Sequence, residues 1–282
     1  MKEIFLCAIN NVLSGSCNED CKFCTQSARY KAAIERYTFK AEERVLQEAR
    51  EAAANGALGY CLVTAGKGLD DRVTDYIARL ARRIGAELPA LRLIACNGTA
   101  DKEQLRYLKA HGIASYNHNL ETSERYYPSI CTTHGWQERY ATCEAVRSVG
   151  LSLCSGGIFG MGESPEDRES LLQSLRRLNP DSVPLNFYIP NPALPIPERT
   201  IDREGALEVI RRTRKLLPEL SLLMVAGGRE ALFGGAEKSM FGAGANAIVI
   251  GNYLTTPGEA PDRDRQRLRE LGYTIATECH GT

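Results

Sequence analysis

Residues 41–64 read AEERVLQEAREAAANGALGYCLVT, and they contain one complete repeat of the fold. Residues 41–54 carry Glu, Arg, Ala and Leu at helical spacing, and Asn55-Gly56 then supplies a stop signal for a helix. Residues 58–64 form a short apolar run of the kind that builds a buried strand. A charged helix that leads into a buried strand predicts an α/β protein with a parallel sheet.

The same alternation runs along the whole chain. Strands are predicted at residues 4–9, 58–64, 91–96, 113–118, 151–155, 182–188, 221–226 and 246–251. Helices are predicted at residues 41–54, 70–84, 101–110, 136–149, 165–178 and 202–217. Asp70, Asp101 and Asp202 are expected to be N-caps, and Pro165 is placed as a first-turn proline. Eight such strands predict one domain over residues 1–282, a (β/α)8 barrel of the TIM type, with an open doubly wound sheet as the alternative.

The composition argues against two classes of partner. Lys plus Arg and Asp plus Glu both number 35, so the net charge of zero gives no field that attracts nucleic acid or an anionic membrane. The longest apolar runs, such as residues 245–250, are too short to cross a bilayer. Met1-Lys2-Glu3 leads directly into Ile4, without the basic and apolar regions of a signal peptide. A cytoplasmic protein that binds neither nucleic acid nor membrane is expected.

The ten cysteines need a chemical explanation. In a reducing cytosol, clustered cysteines more often bind metal or do chemistry than form disulfides. Three are clustered, at Cys17, Cys21 and Cys24. The others are spread along the chain, at Cys7, Cys61, Cys96, Cys131, Cys143, Cys154 and Cys279. Some of the scattered cysteines are expected to be plain buried side chains.

Residues that could bind a metal or a ligand lie in or directly after the predicted strands. The cysteine triplet comes after the first strand, and later strands contain or end at Cys61, Cys96, Asn117, Asn119, Cys154 and Asn186. The active site of such a barrel lies at the carboxyl ends of its strands. One mouth of the barrel is therefore predicted to hold the site. His118 is the only histidine expected near it, and it is given no catalytic role.

The clustered cysteines have the spacing Cys-x3-Cys-x2-Cys. Three thiolates on one short loop can bind three irons of a cubane cluster and leave the fourth iron open. Zinc is the weaker alternative, because structural zinc sites have four protein ligands and no histidine is near the triplet. The triplet, with Phe23 before its last cysteine, resembles the signature of the radical S-adenosylmethionine superfamily. That resemblance implies a 4Fe–4S cluster on Cys17, Cys21 and Cys24, with S-adenosylmethionine on the open iron as the source of a 5′-deoxyadenosyl radical.

Five longer strings resemble the biotin synthase family. They are residues 21–27 (CKFCTQS), 116–122 (YNHNLET), 154–158 (CSGGI), 182–186 (SVPLN) and 254–257 (LTTP), in the family's order and roughly its spacing. The resemblance covers almost the whole chain. It implies sulfur insertion into dethiobiotin, at C9 and then C6, with sulfide from an auxiliary iron–sulfur cluster.

Carried over by position, the resemblance assigns cofactor contacts. The cofactor-binding residues it implies are Phe23, Asn119, Glu121, Arg139, Gly156, Gly157 and Ile158. Residues 155–163 look like the family's cofactor loop, with Ile158 against the adenine, although glycines here could also simply form a tight turn. Glu121 replaces an aspartate that binds the cofactor ribose, and Asn119 is expected between ribose and substrate. Arg139, which on its own would read as an exposed helix charge, is implied to bind the cofactor carboxylate.

The resemblance also assigns substrate contacts. Asn117 and Asn186 match asparagines that hold the ureido ring of dethiobiotin, whose carbonyl and N–H groups suit primary amides. Thr255 and Thr256 match hydroxyls that bind the substrate carboxylate. Asn119 is expected to contact substrate as well as ribose.

The auxiliary cluster is where the match departs from the family. Cys61 and Cys154 match two of its ligands, and Cys96 lies in the right strand for a third, displaced by about two residues. Better-known members hold a 2Fe–2S cluster with an arginine on strand seven, but residues 222–226 contain no arginine. Arg229 matches a different arginine and is expected to form an ion pair.

The hypothesis is therefore a different auxiliary cluster on Cys61, Cys96 and Cys154. It is either 2Fe–2S or, as we favour, a larger cubane-type cluster with a non-protein sulfide on its remaining iron. Cys7, Cys131 and Cys143 are reserve ligands. The position of Cys143 inside a predicted helix argues against ligation by this residue, and the position of Cys279 in the tail argues against ligation by that one.

Two other classes of function remain as alternatives. One is a radical enzyme of the hydrogenase-maturation or methylornithine-forming type, and the other is a non-enzymatic iron–sulfur sensor. A flavodoxin or ferredoxin as electron donor and a homodimer are expected by analogy with the family.

Overall fold

The computed structural model describes residues 3–234 and 237–278. Its strands are β1 Glu3–Leu13, β2 Gly59–Thr64, β3 Arg92–Cys96, β4 Ser115–Asn117, β5 Ser152–Cys154, β6 Gly157–Phe159, β7 Ser182–Phe187, β8 Leu222–Val225, β9 Ala247–Val249 and β10 Thr274–Ile275. Its helices are α1 Glu42–Ala54, α2 Asp71–Glu87, α3 Lys102–Ala110, α4 Tyr127–Ile130, α5 Trp136–Ser148, α6 Pro165–Leu178, α7 Arg203–Leu216, α8 Arg229–Phe233, α9 Glu237–Ala243 and α10 Pro261–Glu270.

The strands close into a parallel barrel. Neighbouring strands pair in the order β1-β2-β3-β4-β5-β7-β8-β9, and β9 pairs with β1 to complete the ring. Strands β5 and β6 both pair with β7 and share one position in the wall, while β10 pairs with the first residues of β1 outside the ring. The predicted eight-stranded barrel is confirmed, and the open sheet is wrong because its edge strands would not meet.

All six predicted helices form, and local caps set where they begin. Asp70 and Asp202 accept from the backbone N–H groups of Val73 and Gly205, each at 2.8 Å, which satisfies a donor that the first helical turn leaves free. Asp101 likewise caps α3, as predicted. Pro165 is the first residue of α6, as the sequence predicts. The short helices α4, α8 and α9, the longer α10, and the strands β6 and β10 were not predicted.

Alternating side chains of the strands face the helices or the barrel interior. The outward-facing side chains pack under the helices in one large core. A smaller cluster fills the inside of the barrel, and it includes Phe5, Cys7, Met224, Ala247 and Val249. This apolar plug leaves the carboxyl ends of the strands as the place where polar side chains can gather.

A buried ion pair ties the last long helix to the barrel. Arg229, at the start of α8, donates to both carboxylate oxygens of Asp264 on α10, at 2.8 and 2.7 Å. Both side chains are 1% exposed. The expected ion pair of Arg229 is confirmed.

Among the helices of residues 3–234 and 237–278, we find none with the length and apolar character that a bilayer crossing requires.

Candidate active site

A cavity opens at the carboxyl ends of the strands, where the sequence predicts the site. Its wall brings together residues from several strands and loops, among them Cys17, Cys21, Phe23, Cys24, Cys96, Asn117, Asn119, Glu121 and Arg139. Within the described residues, its lining does not include the other predicted contacts, Cys61, Cys154, Gly156, Gly157, Ile158, Asn186, Thr255 and Thr256. The cavity is thus lined by the cysteine triplet, by most of the implied cofactor residues and by Cys96, one of the three proposed auxiliary ligands.

The triplet lies on a loop directly after β1. The backbone N–H of Cys17 donates to the carbonyl of Gln26 at 3.3 Å, and that of Cys24 donates to the carbonyl of Cys21 at 3.0 Å. Burial raises the pKa of Cys17, and it raises the pKa of Cys24 to about 11. Thiols of this kind become thiolates when bound iron supplies positive charge, so three of them on one folded loop suit the implied cluster.

A second loop, residues 131–134, packs against the triplet. Asp20 binds this second loop, because its carboxylate accepts hydrogen bonds from the backbone N–H of Thr132 at 2.9 Å and of Thr133 at 3.2 Å. This contact brings the sulfur of Cys131 to 3.6 Å from that of Cys21. The hydrogen bond that the two thiols share raises the pKa of Cys21 and lowers that of Cys131 to about 4.

His134 completes this group and corrects two expectations. Its Nδ1 lies 3.3 Å from the sulfur of Cys131 and 2.7 Å from a carboxylate oxygen of Glu19. Although burial lowers the pKa of His134, its bonds to Cys131 and Glu19 raise it above the ordinary value. The statements that no histidine is near the triplet and that His118 is the only histidine at the mouth are wrong. Proximity across more than a hundred residues is a tertiary property, and only the Cys-x2-His spacing at 131–134 could have signalled it.

Glu121 and Arg139 form a buried pair on the cavity wall. Arg139 donates to one carboxylate oxygen of Glu121 at 3.0 Å, and its side chain is only 13% exposed, so the reading of an exposed helix charge is wrong. The second carboxylate oxygen is buried and has no hydrogen-bond partner among the described residues. Burial raises the pKa of Glu121, and Arg139 partly offsets this.

The backbone of Glu121 is also unusual. Its φ of 67° lies in the left-handed region, which costs a non-glycine residue about 1–3 kcal/mol and is concentrated at functional sites. A strained, buried carboxylate with a free acceptor fits a ligand that offers hydroxyl groups, such as the ribose of the implied cofactor.

The glycines of residues 155–163 are required for the packing and turning of the protein's own backbone. A Cβ on Gly156 would lie 1.9 Å from the carbonyl oxygen of Pro184, and one on Gly157 would lie 2.7 Å from that of Glu121. Gly160 and Gly162 have φ values of 90° and 105°. Close strand packing and tight turning therefore explain these glycines, and they carry no independent information about a nucleoside.

Three cysteines converge inside the barrel below the cavity. The pairing of β4 with β5 sets Asn117 beside Cys154, and its amide N–H donates to that sulfur at 3.3 Å. The sulfur of Cys96 lies 3.7 Å from the carbonyl oxygen of the same amide. A hydrogen bond to Cys96 raises the pKa of Cys61 far above its ordinary value, and burial raises that of Cys154 to about 12. Cys61, Cys96 and Cys154 therefore form one group of thiols, despite the displacement of Cys96 in the sequence.

Two of the remaining predicted residues, Asn186 and Thr255, have structural partners. Both ends of the Asn186 amide bind backbone, with the N–H reaching the carbonyl of Gly157 at 3.3 Å and the oxygen accepting from Gly227 at 3.0 Å. The hydroxyl of Thr255 lies 2.7 Å from that of Thr25, next to the triplet.

The two remaining described cysteines stand apart from the thiol groups, whereas His118 lines the cavity between Asn117 and Asn119. Cys143 donates to the carbonyl of His118 at 3.2 Å from the buried face of α5, and Cys7 lies in the apolar plug. Burial holds the pKa of His118 well below its ordinary range, so this buried side chain is neutral. Cys279 lies outside the described residues.

Comparison with known proteins identifies the family. The Radical SAM superfamily model matches residues 11–175, and the Biotin and Thiamin Synthesis associated domain matches residues 184–274. A biotin synthase of Sulfurovum sp. (strain NBC37-1) is 68% identical over 278 residues, which cover 99% of this chain and 98% of that protein. The chain belongs to the biotin synthase family. Another member, from Wolinella succinogenes, is 54% identical over 280 residues, which cover 99% of this chain and 100% of that protein.

Solved structures of other enzymes share the barrel of the family. Methylornithine synthase superposes with a TM-score of 0.81 at 20% identity, covering 97% of this chain and 84% of that one. The FeFe-hydrogenase maturase HydG from Carboxydothermus hydrogenoformans has a TM-score of 0.83 at 14% identity, covering 98% and 68%. At these identities the likeness shows the fold alone, so it gives no support to either rival function. Sequence identity to biotin synthases over the full length of the chain places it in the sulfur-inserting family and not with the methylornithine-forming or hydrogenase-maturation enzymes.

Proposed function

We propose that this chain inserts sulfur into dethiobiotin by radical chemistry and so makes biotin. The observation that carries the proposal is that the cavity lined by the cysteine triplet also reaches Cys96 and Asn117, which belong to or contact the second group of thiols. The triplet lies at the mouth, and Cys61, Cys96 and Cys154 lie deeper, with Asn117 between Cys96 and Cys154. A substrate in the cavity would lie between a radical source above it and a sulfur source below it.

The residues at the mouth suit a 4Fe–4S cluster and S-adenosylmethionine. When bound, this pair supplies the 5′-deoxyadenosyl radical that removes hydrogen from C9 and then C6. Cys17, Cys21 and Cys24 would hold the cluster. Glu121 offers its free carboxylate oxygen to ribose hydroxyls, and Arg139 offers guanidinium N–H groups to the cofactor carboxylate. Phe23 and Asn119 line the same cavity, while Gly156, Gly157 and Ile158 would form the adenine side.

The deeper thiols would hold the auxiliary cluster. Three protein ligands with no arginine on β8 favour a cubane-type cluster that carries an additional sulfide on its open iron, as opposed to the 2Fe–2S type. The amide of Asn117 contacts two of these thiols, so we propose that it orients both the cluster and the ureido ring of the substrate. Asn186 could bind the ring only by giving up its bonds to Gly157 and Gly227. Thr255 and Thr256 would bind the substrate carboxylate.

The domain organisation, compartment, reductant and assembly of the enzyme are proposed from its chemistry and its family. We propose a single domain over residues 1–282, because strands from both ends of the chain complete the same ring. The cysteines of the triplet and of the deeper group are free thiols, which suits the reducing cytoplasm. A flavodoxin or ferredoxin as reductant and a homodimeric assembly are proposed by analogy with the family.

The test is an anaerobic reconstitution with iron and sulfide, followed by reduction and addition of S-adenosylmethionine and dethiobiotin. Mass spectrometry should detect both biotin and 5′-deoxyadenosine. The Cys154→Ser variant should still make 5′-deoxyadenosine but no biotin, and the Cys143→Ser variant should make both. Deoxyadenosine without biotin from the unaltered chain would keep the radical chemistry and contradict the proposed substrate.

A further inference from the structure

Two groups of ligand atoms overlap at Cys21. The first is the cysteine triplet, and the second is formed by Cys21, Cys131 and His134, whose ligand atoms all lie within 4.8 Å of one another. Among the described residues this is the one set of three such side chains close enough to share a single ion. The proposed clusters make no use of Cys131 or His134.

The distances within this second group match those of a mononuclear site. Tetrahedral coordination with the usual zinc–sulfur and zinc–nitrogen bond lengths separates two sulfurs by about 3.8 Å and a sulfur from a nitrogen by about 3.6 Å. In the structure the two sulfurs are 3.6 Å apart, and the sulfur of Cys131 is 3.8 Å from Nε2 of His134. The spacing of the two sulfurs already suits an ion, and the imidazole of His134 has to turn to complete the group.

His134 presents Nε2 to an ion only when its ring turns, because its Nδ1 is the nitrogen nearer to the sulfur of Cys131, at 3.3 Å against 3.8 Å for Nε2. Its Nδ1 lies 2.7 Å from a carboxylate oxygen of Glu19, the outer contact that orients most metal-binding histidines. Arg139 makes a long contact with Nε2 at 3.4 Å, which it would release when an ion binds. Asp20 holds the Cys131 loop against the triplet loop and lies 3.3 Å from the sulfur of Cys131, adding a second negative charge nearby.

The group is also open to solution. Cys21, Glu19 and His134 all line the cavity at the barrel mouth, so an ion can enter by the route that the cofactor would use. Two thiols and an imidazole form a borderline-soft donor set, which favours zinc, cobalt and ferrous ions over magnesium or calcium.

We propose that the chain without its clusters binds one divalent transition-metal ion through Cys21, Cys131 and His134. Because Cys21 is also needed by the cubane cluster, the ion and the complete cluster are alternative occupants. The ion would hold Cys131 and the triplet loop together before the cluster is complete. This binding requires neither dethiobiotin nor radical chemistry, so it can fail or succeed independently of the proposed function.

The test is an anaerobic titration with Co²⁺, whose thiolate charge-transfer and visible ligand-field bands report tetrahedral sulfur coordination. The background is the Cys17→Ser/Cys24→Ser full chain, which keeps Cys21 but cannot assemble the triplet cluster. In this background, adding Cys131→Ser or His134→Ala should each remove one equivalent of bound Co²⁺. Adding Cys143→Ser, a buried thiol outside both groups, should remove none.

Equal cobalt uptake and equal spectra with and without Cys131 and His134 would overturn the proposal, as would an equal loss in the Cys143→Ser control. Circular dichroism checks that each variant is folded. If the Cys131→Ser chain does not fold, the milder His134→Gln variant decides the outcome by the same criterion. In the unaltered chain, reconstitution with iron and sulfide should expel the equivalent of Co²⁺ that depends on Cys131. Its retention beside a complete 4Fe–4S cluster would refute the sharing of Cys21.

Discussion

Replacing Asp264 by asparagine tests how strongly α10 is anchored to the barrel. Arg229 and Asp264 are both 1% exposed and form two charge-assisted hydrogen bonds, at 2.8 and 2.7 Å. Removing one partner of such a pair leaves an uncompensated buried charge, which costs about 3–5 kcal/mol. Asparagine keeps the shape and one acceptor, and Glu230 still contacts Arg229 at 2.9 Å, so we expect the lower end, about 3 kcal/mol. That loss lowers the folding equilibrium constant by a factor of about 150.

The assay is equilibrium urea unfolding of the cluster-free protein, followed by circular dichroism and by the fluorescence of Trp136, the single tryptophan. Coincident transitions from the two probes would justify a two-state treatment. The Arg229→Met/Asp264→Leu double variant removes both charges and should recover most of the loss, since apolar replacement of a buried pair is often neutral or stabilising. Glu204→Gln, which breaks an exposed pair with Arg211, should cost less than about 1 kcal/mol. A loss below about 1 kcal/mol in Asp264→Asn, together with an additive double variant, would refute the reasoning.

Three further predictions concern the site and its surroundings. Chemical analysis of the reconstituted protein should find about four irons beyond the radical cluster, and Cys154→Ser should lower that number; about two irons would contradict the larger auxiliary cluster. Glu121→Gln should weaken S-adenosylmethionine binding about tenfold or more in equilibrium dialysis, because a charge-assisted hydrogen bond contributes about 1.5–3 kcal/mol, and unchanged binding would remove Glu121 from the cofactor site. Asp167 is buried, and although burial raises its pKa, hydrogen bonds from Ser123 and Ser164 and from Arg125 lower it overall. The contribution of this carboxylate to stability should therefore be complete above about pH 5 and shrink as the pH falls below about 4. In urea unfolding, the difference in free energy of unfolding between Asp167→Asn and the unaltered chain should accordingly shrink in acid. A difference that grows in acid would contradict the lowered pKa.

The periodicity of the chain was enough to predict the barrel. A strand that is buried on both faces is a short apolar run, and the helix between two strands alternates charged and apolar residues at a different spacing. These are local properties, as are the caps at Asp70, Asp101 and Asp202, so they can be read without knowing which strands are neighbours. The cysteine triplet is equally local, because its spacing and its single loop are contained within eight residues, 17–24.

Proximity between distant residues was decided by tertiary structure. Cys131 and His134 reach the triplet because residues more than a hundred positions earlier, Asp20 and Lys22 among them, bind their loop. The burial of Arg139 likewise depends on which face of α5 meets the barrel, and the helix pattern of residues 136–149 gave no indication of this.

The auxiliary thiols illustrate the limit most directly. Sequence placed Cys61, Cys96 and Cys154 on suitable strands, but whether the displaced Cys96 could join the others depended on the register of β2, β3, β4 and β5. Closing a barrel staggers each strand relative to the next, so side chains that meet in the interior stand at different positions along their strands. Residue spacing carries no record of that stagger, and a strand that is apolar on both faces does not show which of its alternating side chains point inward. The sequence therefore determined which residues lie on strands, and the closed barrel decided which of them face the interior and meet.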